Sequence, residues 1–596
     1  MNKTPLRIAN YLLCATLALG SLQYSAHAQT AAQQVPAAAD QKNTAADPWW
    51  KHGVIYQIYP RSFQDTDGNG IGDIKGITSR LDYIKQLGVD AIWISPMYPS
   101  PQIDFGYDIA DYVAIDPMYG TMADFEHMTA EAKSRNLRVI MDYVPNHTSD
   151  QSAWFKESRS SRDNPKRDWY IWRDPKGFTA DGKPIPPNNW QSWFGHSAWE
   201  YDATTTQFYY HHFYVQQPDL NWRNPEVVKA MMDVLRFWMN KGVNGFRIDA
   251  VSRLFEDENL HDDPILPGTN AFGDPNIQHK YTDNLPEVHD MLREMRKVVD
   301  EYPGNPVLIS EADEPNILEL SKMYGPNNDE VQLPMDFQVA DVNALNAPRF
   351  RELLKEVENN PAHGQPYFFF GNHDQDRLWD RYSIGVTDPA MKARIARMMA
   401  TLLLTSRATP QMYYGDEIGM VTSTPTRKED VRDPEGISGW PKEKGRDGER
   451  TPMQWNDSKN AGFSTAATTW LPVAPNYMTV NVSTESSNPD SMLNWYKRLI
   501  DLRRTNQALY AGSMTILNPN EEVLSYLRQG PPGKPSVLVA LNFSGKPQTL
   551  KYDYAALGLT KGATTTLETN DPALNHAPLT KSITLAPYAT WIAEVQ

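Results

Sequence analysis

Residues 245–250 read GFRIDA, a short β-rich run that ends on an acid. Side chains alternate along an extended strand, so Arg247 and Asp249, two residues apart, share one face. Seven further runs have the same character: VIYQIYP (54–60), AIWISP (91–96), VIMDYV (139–144), PVLISEA (306–312), VQLPMDFQV (331–339), YFFFGNHD (367–374) and QMYYGDEI (411–418). Helical patterns separate them. Between the first two, Ile77, Leu81, Ile84 and Leu87 recur at helical spacing and Gly88 is placed to end the helix. Before GFRIDA, Asn224 can cap, Pro225 suits a first helical turn, and Val228, Met231, Leu235 and Trp238 form an apolar face. Strands alternating with helices predict an α/β fold, the (β/α)8 TIM barrel.

Two gaps between these runs are too long for ordinary connections and are predicted insertions. Residues 150–215 carry a crowd of aromatics, including WYIWRDP and NNWQSWFGHSAWEYD; residues 420–488 carry RDGERTPMQW. Both follow strand ends and would cover the C-terminal face, where barrels of this type hold their active sites. Past Arg504 helical patterning gives way to SYLRQ, SVLVALNFS, TLKYDY, TTTLET and SITLAPYATWIAEV, which predict a C-terminal antiparallel β-sandwich over 511–596. The barrel is then assigned to 49–149 and 216–510, with 150–215 as an inserted subdomain.

A chain of 596 residues can bury a substantial core. Its net charge of −16 argues against a nucleic-acid partner, which needs clustered Lys and Arg. The 17 tryptophans and 29 tyrosines suit either core packing or stacking on sugars. Lys3 and Arg7, the apolar run ANYLLCATLALGSL and the sequence AHA before Gln29 read as a signal segment over 1–28, too short and wrongly flanked for a membrane span. Residues 29–48, rich in Ala, Gln and Asp, read as a flexible lead. The expected address is secreted or periplasmic, with no membrane association after cleavage. Cys14 is the only cysteine and lies in the signal, which removes disulfides and thiol chemistry from the mature chain.

The main chemical signal is a set of acids at strand ends: Asp142, Asp249, Glu311 and Asp374. One such acid alone is more often a cap or half of an ion pair. Four converging on one barrel mouth suit glycoside hydrolysis, in which one carboxylate attacks the anomeric carbon and a second, held protonated, supplies the leaving oxygen with a proton.

DYVPNH (142–147), GFRIDAV (245–251), the Glu311 strand end and GNHDQ (371–375) resemble, in order, the four short sequence regions of the α-amylase family of glycoside hydrolases. QPDLNW (217–222) and RTPMQW (450–455) look like signatures of its α-glucosidase and oligo-1,6-glucosidase branch. One departure is Ser310, where the family usually has glycine before its catalytic glutamate. The resemblance implies Asp249 as nucleophile, kept ionised by Arg247, and Glu311 as general acid and base. It implies Asp374, helped by His147 and His373, as the residue that binds ring hydroxyls and steadies the transition state. A plain hydrogen-bonding role is the alternative for either histidine. Within DFGYDI, Tyr107 would stack on the terminal glucose, and Asp104, paired with Arg450, would grip its 4-hydroxyl and close the pocket; the alternative for Arg450 is a surface arginine.

DTDGNGIGD (65–73) places Asp65, Asp67, Asn69, the carbonyl of Ile71 and Asp73 at alternate positions, with Gly70 at the sixth, as in a calcium loop. Gly76 stands where an EF-hand needs Glu, so this is not an EF-hand. The resemblance implies a structural calcium or magnesium site, while an Asx-rich turn is the alternative; Asn146, a calcium ligand in true α-amylases, is not expected to be one here. No cofactor is implied for catalysis. The reading is a retaining, exo-acting α-glucosidase acting on short oligosaccharides as a monomer or homodimer. Ala250, after the nucleophile, points to α-1,4 linkages in this branch. Rivals are an oligo-1,6-glucosidase, a transglucosidase or isomerase of the sucrose isomerase or trehalose synthase type, for which RLWDRY (377–382) sits where isomerases carry an arginine-rich loop, and a non-catalytic carbohydrate-binding protein.

Overall fold

The computed structural model describes residues 47–360, 362–560, 562–575 and 582–596. The expected signal segment and all but the end of the lead lie outside the described residues. Eight parallel strands run β1 (Ile55–Ile58), β2 (Ala91–Ile94), β3 (Arg138–Tyr143), β4 (Gly245–Ile248), β5 (Val307–Ser310), β6 (Leu333–Pro334), β7 (Tyr367–Phe368) and β8 (Thr409–Tyr413). Their order in the sheet is β6-β5-β4-β3-β2-β1-β8-β7, and a backbone bridge between Met335 and Tyr367 joins the two ends into a barrel.

The period of two decides which side chains fill the barrel. Ile55, Ala91, Trp93, Ile140, Val307 and Ile309 form one buried cluster inside it, while Tyr56, Ile58, Ile92, Ile94, Met141, Phe246, Ile248 and Leu308 join the larger cluster under the helices. Continuing the inward set toward the strand ends gives Gln57, Asp142, Arg247, Asp249 and Glu311. An apolar floor is therefore topped by a polar layer. The helices follow the sequence signals. Gly88 ends Leu81–Leu87 at φ 100, and a Cβ there would sit 2.9 Å from Ile500 Cγ2. Asn224 caps Pro225–Asn240 through its side chain, with Met231, Leu235 and Trp238 buried and Val228 partly so.

Three strands are much shorter than predicted, and of the run 367–374 only Tyr367–Phe368 is strand, which leaves Asp374 in the loop beyond it. The run 331–339 keeps only Leu333–Pro334 as strand; Pro334 cannot donate to the ladder, and Asp336 accepts from Val339 N to start the helix Phe337–Ala340. The run 411–418 breaks at Gly415 (φ 87), after which Asp416–Ile418 form a 3-10 turn. The region 150–215 holds a helix, Ala153–Ser160, and a three-stranded antiparallel sheet, and most of its aromatics are core: Trp190, Trp199, Phe208 and Tyr210 pack together. Phe178 and Trp193 are the exceptions, at 63% and 46% exposed. A hairpin not anticipated from the sequence, Ile265–Thr269 with Pro275–Ile277, follows β4 and meets that region where Asp274 accepts from His196 N at 2.7 Å.

The C-terminal region is a five-stranded antiparallel sheet, in the order Met514–Leu517, Val523–Arg528, Ser536–Asn542, Thr590–Val595 and Ala563–Thr569. The ribbon of Gln548–Lys551 and Ser582–Leu585 covers one face through Leu550 and Leu585, making an unequal sandwich. Residues of alternate parity, Leu524, Tyr526, Val537, Val539, Leu541 and Ile592, join the barrel's own core. Arg528 fastens the contact by donating to Thr405 O and Ser406 O, both at 2.7 Å. Among the described residues no helix is long and apolar enough to cross a membrane.

Candidate active site

The polar layer is organised by one side chain. Arg247, on β4 and fully buried, donates through Nη1 to Asp249 Oδ1 at 2.6 Å and to Asp142 Oδ1 at 2.9 Å, and its Nη2 lies 2.8 Å from Glu311 Oε1. Three carboxylates from three adjacent strand ends thus share one guanidinium. Asp142 Oδ2 also accepts from Trp93 Nε1 and Tyr107 OH, each at 3.1 Å. Burial pushes the Asp249 carboxyl well up, a shift opposed by Arg247 and reinforced by Glu311 and Asp142. Burial likewise raises Asp142 to about 6.

Directly after Asp249 the chain turns at Ala250, whose φ of 44 is left-handed. That turn aims the Ala250 N–H at Glu311 Oε2, 3.1 Å away. The backbone thereby couples the two acids that sequence analysis assigned to nucleophile and general acid.

Around the opposite side stand the binding candidates. The Tyr107 and His373 rings lie parallel, 5.3 Å apart at 6°, and Tyr107 OH is 2.7 Å from His373 Nε2. Gln57 Nε2 lies 2.9 Å from His373 Nδ1, which fixes that nitrogen as acceptor and Nε2 as the protonated one. Burial holds His373 well below its usual value, and His147 at about 4, so both rings are neutral near pH 7. His147 donates from Nδ1 to Asn146 Oδ1 at 2.8 Å and accepts at Nε2 from Gln217 at 3.0 Å. Asn146 is further committed to Asp219 Oδ2 and Arg253 O, at 3.0 and 2.7 Å.

The pairing expected between Asp104 and Arg450 is corrected by the structure. Asp104 accepts from Arg446 Nη2 at 3.0 Å and from Gln217 Nε2 at 3.2 Å. Arg450, fully buried and no surface arginine, instead bonds Asp374 Oδ1 at 2.8 Å and His373 O at 2.7 Å. The physical reason is position: the Arg450 carbonyl is held by Ser62 Oγ beside β1, whereas Arg446, four residues earlier, reaches across the mouth. Arg446 Nη1 also bonds Asp374 Oδ1 at 3.0 Å. Burial opposes the Asp374 charge, but Arg446 and Arg450 hold its carboxyl far below the ordinary range. Burial raises Asp104 to about 6 against the pull of Arg446. Sequence reasoning missed Arg446 and Gln217 as individual residues; the available signal was the GRDGE leading into RTPMQW and the glutamine opening QPDLNW.

Away from the mouth, carboxylate oxygens of Asp65, Asp67 and Asp73 lie within 4.8 Å of one another. Asp65 accepts from Gly68 N and Gly70 N at 2.8 Å each and from Ser464 Oγ at 2.5 Å; Asn69 Oδ1 accepts from Ile71 N at 2.7 Å. Gly70 has φ 91, and a Cβ there would come within 2.5 Å of Thr468 O. The acids of this loop therefore serve as turn caps, while their clustered hard oxygens also suit a calcium or magnesium ion.

A parallel barrel with carboxylates, arginines and neutral histidines converging at its C-terminal mouth defines a carbohydrate-cleaving enzyme of the TIM-barrel class. The chain matches the alpha amylase catalytic domain over residues 57–512 and belongs to the α-amylase family of glycoside hydrolases. It is 42% identical over 509 residues to a probable alpha-glucosidase of Rhizobium meliloti (strain 1021), covering 84% of this chain and 90% of that one. It is 39% identical over 536 residues to an oligo-1,6-glucosidase of Parageobacillus thermoglucosidasius, covering 84% and 91%. Among solved structures, isomaltulose synthase of Erwinia rhapontici with sucrose bound superposes with a TM-score of 0.83 at 36% identity, over 93% of this chain and all of that one.

Asp249→Asn keeps the shape but removes the attacking charge, so turnover falls by several orders of magnitude; retention of more than about a tenth would reject Asp249 as nucleophile. Glu311→Gln hurts substrates with poor leaving groups far more than activated aryl glucosides, and equal losses on both would reject the acid role. Because Asp142 is raised to about 6 while His147 lies near 4, the acid limb of the kcat/KM profile comes from the carboxylate cluster, which gains a proton and loses activity as pH falls. Asp142→Asn removes a negative neighbour that raises Asp249, so it moves that limb to lower pH; a limb that stays or rises contradicts this.

Proposed function

We propose that the chain is a retaining, exo-acting α-glucosidase that releases glucose from the non-reducing ends of short α-glucosides, with α-1,4 bonds preferred and water as final acceptor. The observation that carries it is the Arg247 bridge: two carboxylates held on one guanidinium, at 2.6 and 2.8 Å, favour the short separation of about 5 to 5.5 Å that retaining enzymes use. Asp249 attacks the anomeric carbon, Glu311 protonates the leaving oxygen and then activates water, and Asp374 with neutral His147 and His373 holds ring hydroxyls. Tyr107 offers its ring to the same sugar. Exo action is supported by Arg446 and Asp104 spanning the far side of Asp374.

Isomerisation remains the second reading because of the likeness to isomaltulose synthase. Hydrolysis is favoured by RLWDRY, whose arginines are committed elsewhere. Arg377 donates to Tyr414 O and Glu449 O, each at 2.8 Å, and Arg381 to Ala340 O at 2.6 Å and Gln375 Oε1 at 2.8 Å. Neither is free to hold an acceptor sugar. We further propose that the N-terminal segment directs the enzyme to the periplasm or outside the cell, and that Asp65, Asp67, Asn69, the Ile71 carbonyl and Asp73 hold a structural calcium or magnesium ion.

Maltose or maltotriose is expected to exceed isomaltose in kcat/KM when products from maltose, isomaltose, sucrose and trehalose are compared; net conversion of sucrose to an isomer would support the rival instead. Ala250→Val should narrow or reverse the linkage ratio, since one side chain of this size is worth about 1 to 3 kcal/mol. The structure adds a second effect: valine fits the left-handed φ of 44 poorly, so the variant should also melt at lower temperature. An unchanged ratio rejects the role of Ala250. For the metal, EDTA lowers the melting temperature and added calcium restores it; an unaltered curve favours the plain turn.

A further inference from the structure

Arg446 makes its contacts on the sugar side with only part of its guanidinium. The remaining edge is occupied by Asp433, a fully buried carboxylate from the same long region: Nε donates to Asp433 Oδ2 at 2.8 Å and Nη2 to Oδ1 at 3.0 Å, a side-on bidentate pair. The backbone repeats the clasp. Arg446 N donates to Asp433 Oδ2 at 2.6 Å, while Arg432 N and Asp433 N donate to Asp447 Oδ2 at 2.6 and 3.2 Å. Gly445, at φ 73, lets the two segments of this clasp close, since a Cβ there would lie 2.8 Å from Asp433 Cβ. On its outer side the guanidinium lies 5.8 Å from the Phe194 ring, which stacks on Tyr214 at 4.1 Å.

A free arginine side chain has four rotatable bonds and would lose much entropy on reaching Asp104 and Asp374. Fixing one edge of the fork on Asp433 removes most of that freedom before any sugar arrives. We infer that Asp433 is the positioning residue that aims Arg446 at Asp104 and Asp374, and so sets the blind end of the glucose pocket and its discrimination at the 4-hydroxyl. This rests on the glucose-pocket reading given above. Asp433 acts through Arg446 and need not touch sugar.

The test uses the full chain and two iminosugars, 1-deoxynojirimycin and its galacto epimer, with binding measured by calorimetry and folding by melting curve. Asp433→Asn should bind the gluco compound about tenfold more weakly, the scale of one loosened charge-assisted contact, and should lose gluco-over-galacto selectivity. In an Arg446→Leu background the same substitution should change neither quantity further. Wild-type binding by Asp433→Asn, or losses that multiply in the double variant, would overturn the inference, because a merely structural carboxylate would add its damage to that of Arg446→Leu. If Asp433→Asn does not fold, Asp433→Glu carries the test: it keeps the charge but displaces the fork by a methylene, so weakened, less selective binding supports the inference and unaltered binding overturns it. An enzyme that transfers glucose rather than releasing it would leave these binding ratios intact, whereas a wild type that binds neither iminosugar would overturn the pocket reading and this inference together.

Discussion

One buried cation shared by three carboxylates is the interaction on which the site depends. Arg247 sits among Asp142, Asp249 and Glu311 with almost no exposure, over a floor of Trp93 whose ring lies 5.1 Å from the guanidinium. Removing any group from water in such a place is costly, and a buried ion pair holds only when hydrogen bonds satisfy what water did. Here two of the three carboxylates have further donors: Trp93 and Tyr107 on Asp142, and the Ala250 N–H on Glu311. Burial raises Asp142 to about 6 and pushes Asp249 well up, against the pull of the single Arg247 charge. Retaining glycoside hydrolysis uses this imbalance, since one acid must be ionised while another still carries a proton.

A second cationic centre faces the first from across the mouth. Arg446 and Arg450 both reach Asp374 Oδ1, so this acid is held ionised while burial drives Asp142 and Asp249 the other way. Two electrostatic regimes a few side chains apart separate the binding function from the proton-transfer function. His373 stands between them, uncharged, with Tyr107 on one edge and Gln57 on the other. A charged imidazolium there would compete with Arg247 for the carboxylates; burial prevents it.

The barrel was legible because its strands are short β-rich runs, mostly apolar and buried on both faces, and four of them lead into an acid. Where those signals conflict with backbone chemistry the sequence misleads: VQLPMDFQV alternates like a strand, but Pro334 and the capping Asp336 cut it to two residues and send FQVA into a helix. Asp249 and Glu311 were legible for the same reason as the strands, each standing one residue past β4 or β5 in the inward register, whereas Asp374 lies six residues past β7. Arg446 was not legible. It lies in a long irregular region where no periodicity relates residue number to direction, so a motif could name RTPMQW without telling which arginine faces Asp104. The Asp433 clasp was equally hidden, because its partners are 13 residues apart and meet only through a turn at Gly445.

The oxygen-rich loop after β1 connects these centres to the rest of the molecule. Its Asp65 N bonds Phe463 O at 3.0 Å, Ser464 Oγ reaches Asp65 Oδ2, and Trp470 N bonds Gly70 O at 3.0 Å, so residues 463–470 are stitched onto the loop. Just before it, Ser62 O accepts from Met453 N at 2.8 Å and Ser62 Oγ donates to Arg450 O at 2.5 Å. Arg450, at one end of this seam, is the residue that grips Asp374 and the His373 carbonyl. Order in the loop therefore reaches the pocket through backbone rather than through any ligand held in common: what steadies residues 65–73 steadies the strand exit at Ser62, and Ser62 sets where Arg450 begins. Positions nearly 400 apart in sequence act on one carboxylate because the barrel's first strand end and the long region after its last strand share a wall.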